Sequence, residues 1–199
     1  MTSKSKAKGN RLEREMRDLL NQAFETEEFA RTPSSGAIMG LSNYEKNQNL
    51  EDSTKKALGS DIICPSWFRF SIECKNYGDK PNLGKLINDY DTDLDGWIGE
   101  ALFDAINSKR TPLLFFRTSR KGTYCVLPYH FMDITNAEMN NFLRYHEEFM
   151  IVDASVFFKL AKVIQARNER SYDSIQEWLT ISSKVDTIKN KMLTKKGKK

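Results

Sequence analysis

The chain has 199 residues, 39% of them hydrophobic, enough for one domain with a sizeable core and at most some appended helices. Its 31 Lys and Arg against 27 Asp and Glu leave a net charge of only +4, which excludes a histone-like polycation; no apolar run approaches the roughly 18 residues of a membrane span, and the basic start has no apolar segment behind it to make a secretory signal. The three cysteines, Cys64, Cys74 and Cys125, form no CxxC pair and sit in apolar strand-like runs as small hydrophobes, so a soluble protein of the reducing cytoplasm, with no membrane partner, is expected.

Lys4, Lys6 and Lys8 make residues 1–9 a basic leader that the composition predicts to be flexible. Leu12, Met16, Leu19, Leu20 and Ala23 then follow the stripe of an amphipathic helix, predicted from about Asn10 to Phe24. Glu13 borders its buried face, where a carboxylate near a helix start can do no more than favour the helix dipole. Phe29 to Thr32 suits a short strand, broken by Pro33, Ser34, Ser35 and Gly36. Arg31, with Ser34 and Ser35, could contact a phosphate, although nothing in their spacing requires it. Residues 36–59 are polar with few apolar anchors and read as a long loop, of the kind that is often functional and otherwise disordered.

From Gly59 to Lys75 two apolar runs flank Pro65-Ser66, which predicts a β-hairpin. Asp61 opens the first arm. Glu73 and Lys75, two residues apart on the second, project from one face while Ile72 and Cys74 take the other. The turn would bring one carboxylate from each arm together beside a lysine, a site suited to a hard divalent cation, although E-x-K alone is equally an ion pair on an exposed strand.

Beyond Tyr77 the pattern is poor until Asp91-Thr92-Asp93-Leu94-Asp95-Gly96, which superficially matches the start of a calcium loop. Leu102 stands where the bidentate glutamate belongs and Glu100 comes two residues early, so Asp95 reads better as the N-cap of a helix through Trp97, Ala101, Phe103 and Ile106. Residues 112–118 and 123–127 predict a second hairpin. Thr135 and Glu138 suggest a capping box opening a helix to about His146. Phe149 to Val152 reads as a strand, Ser155 to Arg167 as a helix, and another helical stretch from about Ser174 leads into a lysine-rich tail, either solvated or in transient contact with nucleic-acid phosphates. The order points to an α/β (α+β) domain with a mixed central sheet flanked by helices, spanning about 10–170, followed by a helical extension over 171–199.

A phosphodiester is shielded by its negative charge, and a divalent metal both neutralises that charge and activates water. Magnesium takes few carboxylates and keeps several waters, which suits Asp61, Glu73 and Glu13. Lys75 would orient or help deprotonate the attacking water, or stabilise the pentacovalent transition state. His130 and His146 lie in no motif for a histidine-metal nuclease.

An Asp opening a short apolar strand, a turn, and Ile72-Glu73-Cys74-Lys75 ending the next strand, after a helix that bears Glu13, resemble the PD-(D/E)xK nuclease superfamily. The nearest likeness is to archaeal-type Holliday junction resolvases. Their glycine followed four residues later by Glu-Arg-Glu is similar to Gly9 with Glu13-Arg14-Glu15, and their arginine and small-residue loop to Arg31-Thr32-Pro33-Ser34-Ser35-Gly36-Ala37. The resemblance covers Gly9 to Lys75. The superfamily's usual proline before the metal Asp stands here as Ser60, and the loop over 36–58 and the helices after Asn136 exceed the resolvase core. The resemblance implies a restriction-endonuclease-like core with extra C-terminal helices, a metal served by Glu13, Asp61, Glu73 and the main-chain carbonyl of Cys74, and a catalytic Lys75. The expected activity is a Mg²⁺-dependent DNA endonuclease, with Mn²⁺ able to substitute, selective for branched DNA and homodimeric. The alternatives are a restriction- or repair-type nuclease on duplex, flap or single-stranded DNA, and a nucleic-acid-binding protein that lost catalysis.

Overall fold

A computed structural model of the chain describes residues 4–33, 60–86, 91–119, 121–129, 142–146 and 148–168. Helix α1 runs over Lys4–Phe24, so the helix expected from about Asn10 starts earlier. Its apolar stripe is what docks it: Leu12, Met16, Leu20 and Phe24 are buried, each such side chain contributing about 1.5–3 kcal/mol. Strand β1 (Ala30–Arg31) pairs antiparallel with β2 (Ile62–Ile63) in a two-stranded sheet.

The main sheet is five-stranded and mixed, in the order β3 (Phe70–Asn76), β4 (Thr111–Thr118), β5 (Gly122–Pro128), β7 (Phe149–Asp153), β6 (Phe142–Tyr145). β3 and β4 are parallel, Glu73 standing opposite Leu114 and Lys75 opposite Phe116, and the other neighbours are antiparallel. The chain between the parallel pair holds a short helix α2 (Leu83–Leu86) and the long helix α3 (Thr92–Ser108). Helices α4 (Ala154–Lys159) and α5 (Ala161–Asn168) follow the sheet.

Alternation along β3 and β4 divides the core. Phe70, Ile72, Cys74, Leu113 and Phe115 join α1, α4 and α5 on one face. Leu114 and Phe116 join Leu94, Trp97, Ile98, Ala101 and Leu102 of α3 on the other. This is the mixed sheet flanked by helices that the sequence predicts, and β4 with β5 forms the expected second hairpin.

Four local expectations are corrected. β2 does not lie in a ladder with β3, because after the turn closed by the Phe68 N–H on the Pro65 carbonyl (3.1 Å) the chain turns inward. There the Phe68 ring packs against Phe24, Phe29, Trp67 and Phe70 with centroids 4.9–5.8 Å away. The N-cap of α3 is Asp91, whose Oδ1 accepts from the Asp93 and Leu94 N–H groups and whose Oδ2 accepts from the Asn82 N–H. Asp95 lies in the first turn and accepts from the Tyr145 hydroxyl (2.7 Å) and meets His146 Nε2 (2.6 Å), so this stretch is helix and not a calcium loop. Phe142–Tyr145, expected within a helix reaching about His146, is strand β6, where pairing with β7 overrides local propensity; Thr135 and Glu138 lie outside the described residues, as do the 36–59 loop and residues 171–199. The stretch expected as one helix from Ser155 to Arg167 is two, interrupted at Leu160. Among the described residues no helix is long and apolar enough to cross a membrane.

Candidate active site

β3 is an edge strand. Its partner β4 takes one side of its main chain, and its other side is met by Asp61. The Asp61 N–H donates to the Ile72 carbonyl (2.9 Å), and the Cys74 N–H donates to Asp61 Oδ2 (2.8 Å). In an extended strand a residue's N–H and C=O point to the same side, so the Cys74 carbonyl also lies on this free edge. The Thr32 N–H in turn donates to the Asp61 carbonyl (3.0 Å), tying the end of β1 to the same point.

The side chains of Glu73 and Lys75 lie on the α3 face, as their register against Leu114 and Phe116 requires. Glu13 arrives from α1, on the opposite face, and its Oε2 accepts from Arg31 Nη1 at 3.1 Å. Three further bonds hold α1 in place over this edge. Asn76 Nδ2 donates to the Lys8 carbonyl (3.1 Å), and Arg117 of β4 grips both carboxylate oxygens of Glu15. The site therefore straddles the sheet edge, with Asp61 in the middle.

Glu13, Asp61 and Glu73 are each 7–8% exposed. Burial, then the Asp61 charge, pushes Glu13 up to about 7 against the easing of Arg31, Arg14 and Lys75. Burial and Asp61 likewise push Glu73 up to about 8, with Lys75 opposing. The Asp61 charge thus makes both glutamates harder to ionise, a state that a cation placed among them would relieve. Among the described residues no three His, Cys, Asp or Glu side chains are placed close enough together to hold a metal ion by themselves. Carboxylate and carbonyl oxygens are the donors magnesium takes, and it needs few of them because it keeps much of its water. The Cys74 thiol is held neutral, burial and the surrounding carboxylates pushing its pKa well up, so that residue's useful donor is its carbonyl.

Lys75 Nζ sits between two carboxylates, 2.5 Å from Glu73 Oε1 and 2.5 Å from Glu100 Oε2 of α3. Burial lowers its pKa, but the two acids more than offset this and the net shift is upward, which keeps the ammonium charged. Sequence reading missed Glu100. It also missed Asp104, whose pKa burial raises well above normal, with the charges of Glu73 and Asp61 adding to the shift. The signal was present: with Trp97, Ala101 and Ala105, positions 100 and 104 fall at i+3, i+4, i+7 and i+8, so two acids border an otherwise buried helix face.

Of the residues singled out from the sequence, the structure brings Glu13, Arg31, Asp61, Glu73, Cys74 and Lys75 to one place, while Ser34 and Ser35 lie outside the described residues. A model of the family described as "Phage putative PDDEXK endonuclease" matches residues 4–177. No curated protein and no solved structure matches the chain.

Proposed function

Because the chain belongs to this phage PDDEXK endonuclease family, with which it shares residues 4–177, we propose that it cuts DNA with Mg²⁺, or Mn²⁺ in its place, at the edge of β3. The observation that carries this is the bond from the Cys74 N–H to Asp61, which seats a carboxylate beside Glu73 and the Cys74 carbonyl without a paired hairpin. Asp61, Glu73 and the Cys74 carbonyl would hold the cation, with Glu13 completing the set from α1. When bound, the cation neutralises the phosphate and supplies an activated water.

The chain's own residues do the rest. Lys75, kept charged by Glu73 and Glu100, offers a fixed ammonium to the charge that accumulates on the phosphorus oxygens, or orients the water. Its upward pKa shift favours these roles over proton abstraction. Arg31, bonded to Glu13, would meet a neighbouring phosphate, with Ser34 and Ser35 following it in sequence.

Selectivity for branched DNA, and a homodimer able to cut two strands symmetrically, rest on the resemblance of Gly9–Lys75 to the junction resolvases. A restriction- or repair-type nuclease on duplex, flap or single strands is the nearest alternative. A protein that merely binds nucleic acid has no use for three buried carboxylates facing phosphate. The test is to incubate purified protein with four-way junction, flap, duplex and single-stranded DNA in Mg²⁺, Mn²⁺ or EDTA. Metal-dependent cutting is expected, and its absence on every substrate would sink the reading.

A further inference from the structure

Tyr77 follows the E-x-K strand directly and is 57% exposed, the most exposed large hydrophobic side chain among the described residues. Its ring is stacked on Trp97 of α3, with centroids 5.5 Å apart and planes 26° from parallel. Trp97 is buried and rests in turn on Phe116 of β4, 6.3 Å away. The main chain beyond Tyr77 is pinned where the Ser119 N–H donates to the Gly78 carbonyl (2.6 Å), and Gly78 takes the left-handed φ of +71° that this turn needs.

This stack is the next rung of the contact that holds Lys75. Along β3 and its continuation, Tyr77 stands two residues beyond Lys75, about 6.6 Å at the rise of a strand. Along α3, Trp97 stands three residues before Glu100, one turn away on the same side. Lys75 with Glu100 and Tyr77 with Trp97 are therefore successive pairs across one β3–α3 seam. The separation of the rungs is about that between neighbouring nucleotides in an extended strand.

The geometry points to Tyr77, backed by Trp97, as a stacking platform for one unpaired nucleobase next to the phosphate engaged at Lys75. A base inside a duplex is covered on both faces by its neighbours and offers nothing to an outside ring. Only a base at an end, gap, flap, branch or single strand has a free face. The platform thus narrows the substrate class to DNA with an unstacked base beside the cut, a refinement that rests on the nuclease reading above. Trp97 fills one face of the Tyr77 ring and fixes its orientation, so little freedom is lost when a base settles on the other.

The experiment uses the full chain in EDTA and 2-aminopurine as reporter, placed either in the unpaired arm of a flap or within the same duplex fully paired. The wild type should change the fluorescence of the flap probe and bind flap DNA more tightly than the paired duplex. Tyr77→Phe and Tyr77→Trp should keep both properties. Tyr77→Leu should lose the fluorescence change and bind the flap at least about fivefold more weakly, with duplex binding nearly unaltered. A Tyr77→Leu protein that matches the wild type in both signals overturns the platform, as does a Tyr77→Trp protein that loses them. Cleavage in Mg²⁺ or Mn²⁺ is scored separately. Failure of the wild type to cut either DNA counts against the nuclease reading, while the fluorescence in EDTA still decides the platform.

Discussion

The Cys74 N–H donates to Asp61 Oδ2 across the free edge of β3, although the two residues stand 13 apart in sequence and in no common ladder. The same carboxylate is therefore a strand-edge acceptor and a candidate metal ligand. Asp61→Asn can still accept the bond through its amide oxygen and should fold, yet lose cleavage by at least about a hundredfold as the charge disappears. Asp61→Ala should lose cleavage as well and melt earlier, since a buried N–H is left without its partner at a cost of about 1–3 kcal/mol. Turnover and thermal melting measured side by side check this, and normal cutting by Asp61→Asn would place the site elsewhere.

Glu100 is a positioning residue in this arrangement, acting through Lys75. Glu100→Gln keeps the shape and removes the charge, and should lower kcat about tenfold with KM nearly unchanged. Glu100→Asp should recover part of that. The Glu100 side chain is 43% exposed, so melting should hardly move in either variant. Reductive methylation of Lys75, followed by mass spectrometry, gives a readout independent of cleavage: the freed amine in Glu100→Gln should react faster. Equal rates in the two proteins would mean that Glu100 does not hold the lysine.

The two raised carboxyls make a pH prediction. Glu13 and Glu73 have ordinary values of 4.5 and folded values of about 7 and about 8. Over that range the folded chain holds more protons than the unfolded one, so this contribution to stability is full below 4.5 and is lost as pH rises through about 7 and 8. The metal-free protein should accordingly melt at falling temperature between about pH 5.5 and 8.5, and Mg²⁺ should flatten the slope by replacing the protons. Glu13→Gln should make the metal-free slope shallower. A melting temperature that stays level or climbs over this interval in EDTA would contradict the assignment.

Phe68 is fully buried among Phe24, Phe29, Trp67 and Phe70. Phe68→Ala should cost about 3–5 kcal/mol, read from denaturant melts. Because this cluster anchors the segment that carries Asp61 onto β3, the residual folded protein should also cut poorly. A variant with wild-type stability would show that the cluster collapses around the cavity.

What was legible in the sequence was whatever rests on short-range pattern. The stripe Leu12, Met16, Leu20 gave α1, alternation put Glu73 and Lys75 on one face, and the I-E-C-K strand pointed to the nuclease superfamily that the match over residues 4–177 supports. What was hidden depends on where distant segments meet. The Pro65-Ser66 turn looked like that of a hairpin, but nothing local says that Ile62 and Ile63 pair with Ala30 and Arg31 rather than with β3. Glu100 sits in a stretch whose local pattern resembles a calcium loop, and its tie to Lys75 follows only from the packing of α3 on β3 and β4. Phe142 to Tyr145 became a strand because β7 offered it a partner.

The grip of Arg117 on Glu15 joins residues 102 apart in sequence. Glu13 rides on the same helix, so its place at the edge of β3 depends on a strand made much later than the helix itself. During synthesis the acids of the first hundred residues emerge without the anchor that orients them, and the long loop closures involved are slow to complete. The helix that carries Glu13 is thus not gripped by Arg117 until β4 has been made, about halfway along the chain.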